Sequence, residues 1–227
     1  ACADGYPPPC TVDGLRVLFI GNSLTYGNDV PRLVQQLAEQ SRSRAVRPVM
    51  VAFPNVSLDD HWAQGAAAAA LRRGPWDVVV LQQGPSSLPE SRELLVAAAR
   101  RFAPLIAAAG ARAVLYEVWP TIARRADATR ARGSYIAAAQ AIDGVVAPAG
   151  TAWSIALAAP SPPALYDVDG LHASMTGSVL AALTLHARIT GRDPRQDVGP
   201  LPGLGADTVL ARRLRVAAAA AFDSVPP

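Results

Sequence analysis

Hydrophobic and polar residues fall along this chain in blocks whose period switches repeatedly between continuous and helical. Residues 15–20 form a run that is apolar but for Arg16 between Gly14 and Gly21, the pattern of a strand buried on both faces. Val30, Leu33, Val34 and Leu37 then recur at helical spacing over 30–40, with Asn28 or Asp29 as N-cap and Pro31 in the first turn. A second strand is expected over 46–53, followed by a helix capped by Ser57 or Asp59 that runs through the alanines at 66–70. Residues 77–82, Asp-Val-Val-Val-Leu-Gln, predict a third strand, 91–109 a long helix ended by Gly110, and 113–118 a fourth strand. A helix over 132–142, a short strand over 145–147 and a helix over 176–190 closed by Gly191 follow. A Pro- and Gly-rich connection, 193–205, leads to a terminal helix over 207–222.

Strands that are apolar throughout and alternate with helices predict an α/β fold with a parallel sheet covered on both faces. No internal repeat is visible. The terminal helix cannot build a core by itself, so residues 14–227 are expected to form one domain, with 1–13 as a leader. In open sheets of this kind, reactive groups gather at the carboxyl ends of the strands.

Composition narrows the classes. The chain has 227 residues, 51% hydrophobic and 17% charged, which excludes a disordered chain. No apolar run reaches the roughly 18 residues of a membrane-spanning helix. All 21 basic residues are Arg, scattered among Ala and acids as at Arg100-Arg101 and Arg124-Arg125, and the net charge is only +3. With no concentrated basic stripe, a nucleic-acid partner is not expected. Cys2 and Cys10 bracket a stiff segment containing Pro7, Pro8 and Pro9 and read as a small disulfide loop. That implies an oxidising compartment, so a secreted or cell-envelope (periplasmic) protein whose signal peptide has been removed is expected. The rival reading makes Cys2 a lipid-attachment residue.

Two segments carry chemistry. Gly21-Asn22-Ser23-Leu24-Thr25 stands just past the first strand, where a serine is exposed at the sheet's rim and backbone N–H groups can face its oxygen. Thr25 breaks the Gly-x-Ser-x-Gly pattern of the α/β-hydrolase elbow, and no Gly-Lys-Ser/Thr follows to make a phosphate loop. Asp167-Val168-Asp169-Gly170-Leu171-His172 lies before the helix at Thr176. Asp169 and His172, three apart in a Gly-containing loop, can pair carboxylate with imidazole and leave the second ring nitrogen to take a proton from a hydroxyl. His61 beside Trp62 reads as a surface hydrogen bond next to a core ring, or as a substrate-wall pair. Asp59, Asp60 and His61 do not close a metal shell. His186 reads as structural.

Gly21-Asn22-Ser23 resembles the first sequence block of the SGNH hydrolases (the GDSL-like esterases and lipases), and Asp169-Gly170-Leu171-His172 resembles their last block. The stretches Leu58-Asp59-Asp60-His61-Trp62 and Trp76-Asp77-Val78-Val79-Val80-Leu81-Gln82-Gln83 look like a bacterial branch of that superfamily. The resemblance runs over residues 15–189. It implies a flavodoxin-like three-layer α/β/α sandwich with a five-stranded, mostly parallel sheet. It also implies ester hydrolysis without metal or organic cofactor, with Ser23 as nucleophile, His172 as general base and Asp169 as its orienting partner. The second family block normally supplies an oxyanion donor from a glycine; here Asn55 stands near that position and keeps a backbone N–H. The third block normally has Gly-x-Asn, whereas this chain has Gln82-Gln83-Gly84-Pro85-Ser86, so Gln82, Gln83 and Ser86 all remain candidates for the third donor beside Ser23 and Asn55. One such donor is worth about 3 kcal/mol of transition-state stabilisation.

Tyr26 and Trp119 stand at strand ends and are candidate pocket walls. The expected substrate is a small-molecule or carbohydrate ester with a short acyl group such as acetyl. A non-catalytic glycan-binding domain and an O-acyltransferase on the same scaffold are the rivals.

Overall fold

The computed structural model describes residues 14–225. The leader with Cys2 and Cys10, and so the expected disulfide loop, lies outside the described residues. Five strands build one parallel sheet in the order β2-β1-β3-β4-β5: β1 (Leu15–Gly21), β2 (Val46–Ala52), β3 (Val78–Leu81), β4 (Arg112–Glu117) and β5 (Val145–Pro148). All five stand where the apolar runs place them. β1 and β3 are central and almost wholly buried, which is why they read as apolar runs, with only Arg16 breaking the first. β2 lies at an edge with Val49 and Met50 exposed and carries Pro48, a residue that edge strands tolerate.

The helices form the outer two layers. α1 (Ser23–Tyr26) follows β1 directly, and α2 (Val30–Gln40) returns the chain to β2. α3 (Leu58–Gln64) and α4 (Ala66–Arg72) lead to β3, α5 (Pro89–Ala108) to β4 and α6 (Ala128–Gln140) to β5. α7 (Ala149–Leu157), α8 (Met175–Thr190) and α9 (Thr208–Asp223) complete the chain. α2 and α8 pack together on one face; α3 to α6 cover the other; α9 packs on α7 and α8, as expected for a helix sharing the domain's core. This is a three-layer α/β/α sandwich of flavodoxin-like type. Among the described residues, no helix is long and apolar enough to cross a membrane.

Local signals account for most helix ends. Asp29, not Asn28, caps α2 by accepting from Arg32 N. Ser57 and Asp60 make a reciprocal capping box on α3. The helix expected to run unbroken through 66–70 is instead two, because Gly65 takes a left-handed conformation (φ 78°) that ends α3 and starts α4 at a new angle. α6 begins at Ala128, after a 3₁₀ segment (Ile122–Asp127), rather than at 132. α7 has no counterpart in the sequence reading.

Strand order reverses around β1: the chain crosses from β1 to β2 on one side, then returns past β1 to β3. The crevice outside the carboxyl ends of β1 and β3 is therefore the switch point where ligands bind in open α/β sheets. Ser23 follows β1 there, and Gln82 and Gln83 follow β3.

Candidate active site

The first element of the site is the turn after β1. A Cβ at Gly21 would lie 2.3 Å from Thr25 Oγ1 and 2.4 Å from Gln82 Oε1, so only glycine lets these two side chains close over the strand end. Asn22 caps α1, its Oδ1 accepting from Leu24 N at 3.1 Å, and its Nδ2 donates to Val56 O at 3.0 Å. Gln82, fully buried, ties the turn to β3: Oε1 accepts from Asn22 N (2.8 Å) and Thr25 Oγ1 (2.7 Å), while Nε2 donates to Asn22 Oδ1 (2.9 Å) and Gln83 O (2.6 Å). Both amide protons of Gln82 are thereby taken, and none is left for an oxyanion.

His61, also fully buried, supports the turn from α3. Its Nε2 lies 2.7 Å from Gly21 O, and since a carbonyl only accepts, that nitrogen carries the proton. Burial, the largest influence, pushes its pKa down, and Nδ1 is buried without a partner. A neutral imidazole is what this environment favours. The surface hydrogen bond expected of His61 is thus replaced by a buried one to the strand that leads into Ser23. Asp59 pairs with Arg101 and Asp60 caps α3, so the three neighbours 59–61 serve three separate tasks.

The second element is the loop before α8. An isolated bridge pairs Tyr166 with Ala173, and Asp167 N donates to His172 O at 2.8 Å. Inside this hairpin Asp169 Oδ1 accepts from Leu171 N and His172 N, both at 2.9 Å, and Oδ2 lies 2.5 Å from His172 Nδ1. The hydrogen bond from His172, then those from the two backbone amides, hold the Asp169 carboxyl down at a pKa of about 2. Asp169 is therefore a carboxylate at neutral pH, Nδ1 of His172 carries the proton, and Nε2 is an acceptor. That Nε2 lies 2.9 Å from Ser23 Oγ, across 149 residues of sequence. The structure thus brings together all three residues that the two motifs single out.

The oxyanion candidates separate by geometry. The backbone N–H groups of Ser23 and Asn55 have no partner among the described residues. Asn55 sits in the left-handed region (φ 57°), which asparagine tolerates better than most residues. Gln83 donates from Nε2 to Ser86 Oγ (2.9 Å), and its Oε1 accepts from Leu58 N (3.1 Å), so one amide proton remains uncommitted. Ser86 spends its hydroxyl proton on Gly84 O at 3.1 Å. Asn22, Asn55, Gln83, Ser86, Pro120 and Arg124 are among the residues lining an open cavity of about 580 Å³ beside the turn that holds Ser23.

Of the two candidate wall aromatics, Tyr26 is exposed at the end of α1. Trp119 corrects the expectation: it is 1% exposed and stacks face to face on Trp153, with ring centroids 3.7 Å apart. His186 is buried in α8 beside Ser41 and Ser43, remote from these residues in the fold. Sequence reasoning missed the roles of Gln82 as a four-bond hub and of His61 as a support. Two adjacent glutamines ending a fully apolar strand are the signal that was there to read.

The sheet order, the layers and the placement of Ser23 give this chain the fold of the SGNH hydrolase superfamily. A protein from Slackia heliotrinireducens, provisionally described as an SGNH hydrolase, is 27% identical and superposes with a TM-score of 0.67, over 78% of this chain and 100% of its own. A DUF4886 family protein from Bacteroides uniformis is 18% identical with a TM-score of 0.76, over 93% of this chain and 96% of its own. A catalytic mutant of an acetylxylan esterase from Geobacillus stearothermophilus is 17% identical with a TM-score of 0.60, covering 78% and 94%. These neighbours support a hydrolase. No protein-family model matches the sequence, and no curated protein matches it either.

Proposed function

We propose that this protein is a serine esterase that hydrolyses carboxylic esters through Ser23, His172 and Asp169. The observation that carries the reading is the unbroken series Ser23 Oγ–His172–Asp169, with 2.9 Å and 2.5 Å between successive partners. His172 Nε2 takes the proton of Ser23 as Oγ attacks the ester carbonyl. Charge developing on the carbonyl oxygen is met by the N–H groups of Ser23 and Asn55 and by the amide of Gln83. His172 then passes its proton to the leaving alcohol, and water repeats the sequence on the acyl-enzyme, returning Ser23 and releasing the acid.

The substrate class is a short-chain acyl ester, acetyl on a carbohydrate above all. An acetylxylan esterase shares the fold, and the cavity of about 580 Å³ lies within the range of small-molecule sites. The test is turnover of an aryl acetate and of acetylated polysaccharides by the wild type and by Ser23→Ala. The variant should fold normally, lose at least about 10⁴-fold in turnover, and fail to react with a fluorophosphonate that labels the wild type. Undiminished turnover by Ser23→Ala would overturn the assignment. Product analysis with added alcohol separates hydrolysis from acyl transfer.

A further inference from the structure

The loop that bears Asp169 and His172 is an exposed flap. The side chains of Asp169 and His172 are 46% and 40% exposed, and Val168 is fully exposed. Its internal hydrogen bonds fix its shape but not its position relative to Ser23. Position is set from two sides: Asn28 Nδ2, beyond α1, donates to Ala173 O (3.0 Å), and the chain just past β4 contributes three bonds, in which Ile122 N donates to Gly170 O (2.8 Å), Tyr166 Oη donates to Pro120 O (2.7 Å), and Trp119 Nε1 donates to Leu171 O (3.0 Å).

The last of these differs in kind. Leu171 O and His172 N–H belong to one peptide unit. Trp119 grips its oxygen while Asp169 grips its nitrogen, so the plane that carries His172 is held from both sides. Trp119 is itself immobilised. Its ring lies 3° from parallel with Trp153, Tyr166 meets Trp153 edge-on at 4.8 Å, and Trp153 Nε1 donates to Gly177 O in the first turn of α8 at 3.3 Å. A Cβ on Gly177 would lie 2.5 Å from the Trp153 ring, so the helix following the loop is seated on the same stack.

We propose that Trp119 is a positioning residue for the acid–base loop. Its indole N–H, anchored by the stack on Trp153, holds the Leu171 carbonyl so that His172 Nε2 stays within hydrogen-bond reach of Ser23 Oγ. The inference rests on the esterase reading above. Misplacement of a reacting group by about 1 Å costs up to about 100-fold in rate, and a rigid ring system is a means of preventing it.

The experiment replaces Trp119 by phenylalanine and, by site-specific incorporation, with benzothienylalanine, which keeps the ring's size and stacking but has no N–H. Turnover of an aryl acetate and the rate of fluorophosphonate labelling are measured, with Ser23→Ala as control. Loss of the N–H should lower kcat and the labelling rate together by about 10- to 100-fold while KM changes less than about twofold, and the benzothienyl variant should melt near the wild type. A purely structural role would lower the melting temperature and leave kcat of the folded protein intact. Wild-type kcat and labelling in the benzothienyl variant, with Ser23→Ala inactive, would overturn this proposal alone; activity in Ser23→Ala would instead overturn the esterase reading on which it rests.

Discussion

The turn that carries Ser23 is sunk into the sheet, whereas the loop that carries Asp169 and His172 stands out from it. Around the first, Gln82, Thr25, Asn22 and His61 are all buried and hydrogen-bonded to one another or to the turn's backbone. The second is a hairpin with its functional side chains near half exposed, tied to the body at few points. A buried polar network is costly to break because every orphaned group forfeits its partner in a low-dielectric setting. An exposed hairpin loses little stability when a side chain is trimmed. The two halves of one candidate site should therefore respond to mutation in opposite ways, one through folding and the other through rate.

The sharpest way to break that contrast is His172→Ala. Turnover of an aryl ester should fall by about 10⁴-fold or more, while the unfolding free energy shifts by less than about 1 kcal/mol. A large loss of stability would mean the loop is part of the core rather than a flap on it. Asp169→Asn should fall in the same class, because an amide no longer selects the tautomer that leaves Nε2 free. Its carboxyl, held down at about 2, stays charged as pH falls through the usual carboxylate range. Any stability Asp169 contributes is therefore complete above about pH 4 and lost only as pH falls toward 2.

Gln82→Ala probes the other half. It strips partners from Asn22 N, Asn22 Oδ1, Thr25 Oγ1 and Gln83 O at once, in a site that is fully buried. Urea unfolding should show a loss of about 3 kcal/mol. If stability held and only activity fell, the turn would not be the rigid half.

That difference also explains what could be read from the sequence. The strands were legible because each is a largely apolar run ended by Gly, Pro or a polar pair, and the three candidate residues were legible because Ser23 directly follows the first strand and the spacing of Asp169 and His172 lets carboxylate and imidazole pair. The roles of Gln82, His61 and Trp119 depend on partners 40 to 60 residues away, and no local period encodes them. The missed α7 has a physical cause of the same sort. Its sequence, AGTAWSIAL, is apolar on nearly all sides and has no side-chain cap at Pro148. Its first turn is served instead by a residue of β4: Thr151 Oγ1 donates to Glu117 Oε1 at 2.9 Å.

Glu117 offers a smaller test in the same buried half. It is 1% exposed, and burial pushes its pKa up to about 7 despite the bonds from Thr151. Between the ordinary carboxylate range and pH 7 the unfolded chain gives up this proton while the folded chain keeps it. Stability should therefore fall as pH rises through that window and level off above it. Glu117→Gln should flatten the dependence and gain about 2 kcal/mol at pH 8 relative to pH 5, measured by urea unfolding at both values. An unchanged slope would place the buried proton elsewhere.

The smallest effect is expected where the two halves meet across the substrate. In the proposed mechanism Asn55 stands near the family's glycine position and donates to the oxyanion through its backbone N–H, so its side chain is not what that reaction would need. Its φ of 57° is cheap for asparagine and free for glycine. Asn55→Gly keeps the N–H and the geometry, and should leave kcat for an aryl acetate within about threefold and stability within about 0.5 kcal/mol. Asn55→Val keeps the same N–H but forces a β-branched residue into the left-handed region, so the donor must swing away to relieve the strain. That variant should lose at least about tenfold in kcat. Equal activity in the glycine and valine variants would show that this N–H does not face the oxyanion, whereas a collapse in the glycine variant would assign the donor to the Asn55 side chain instead.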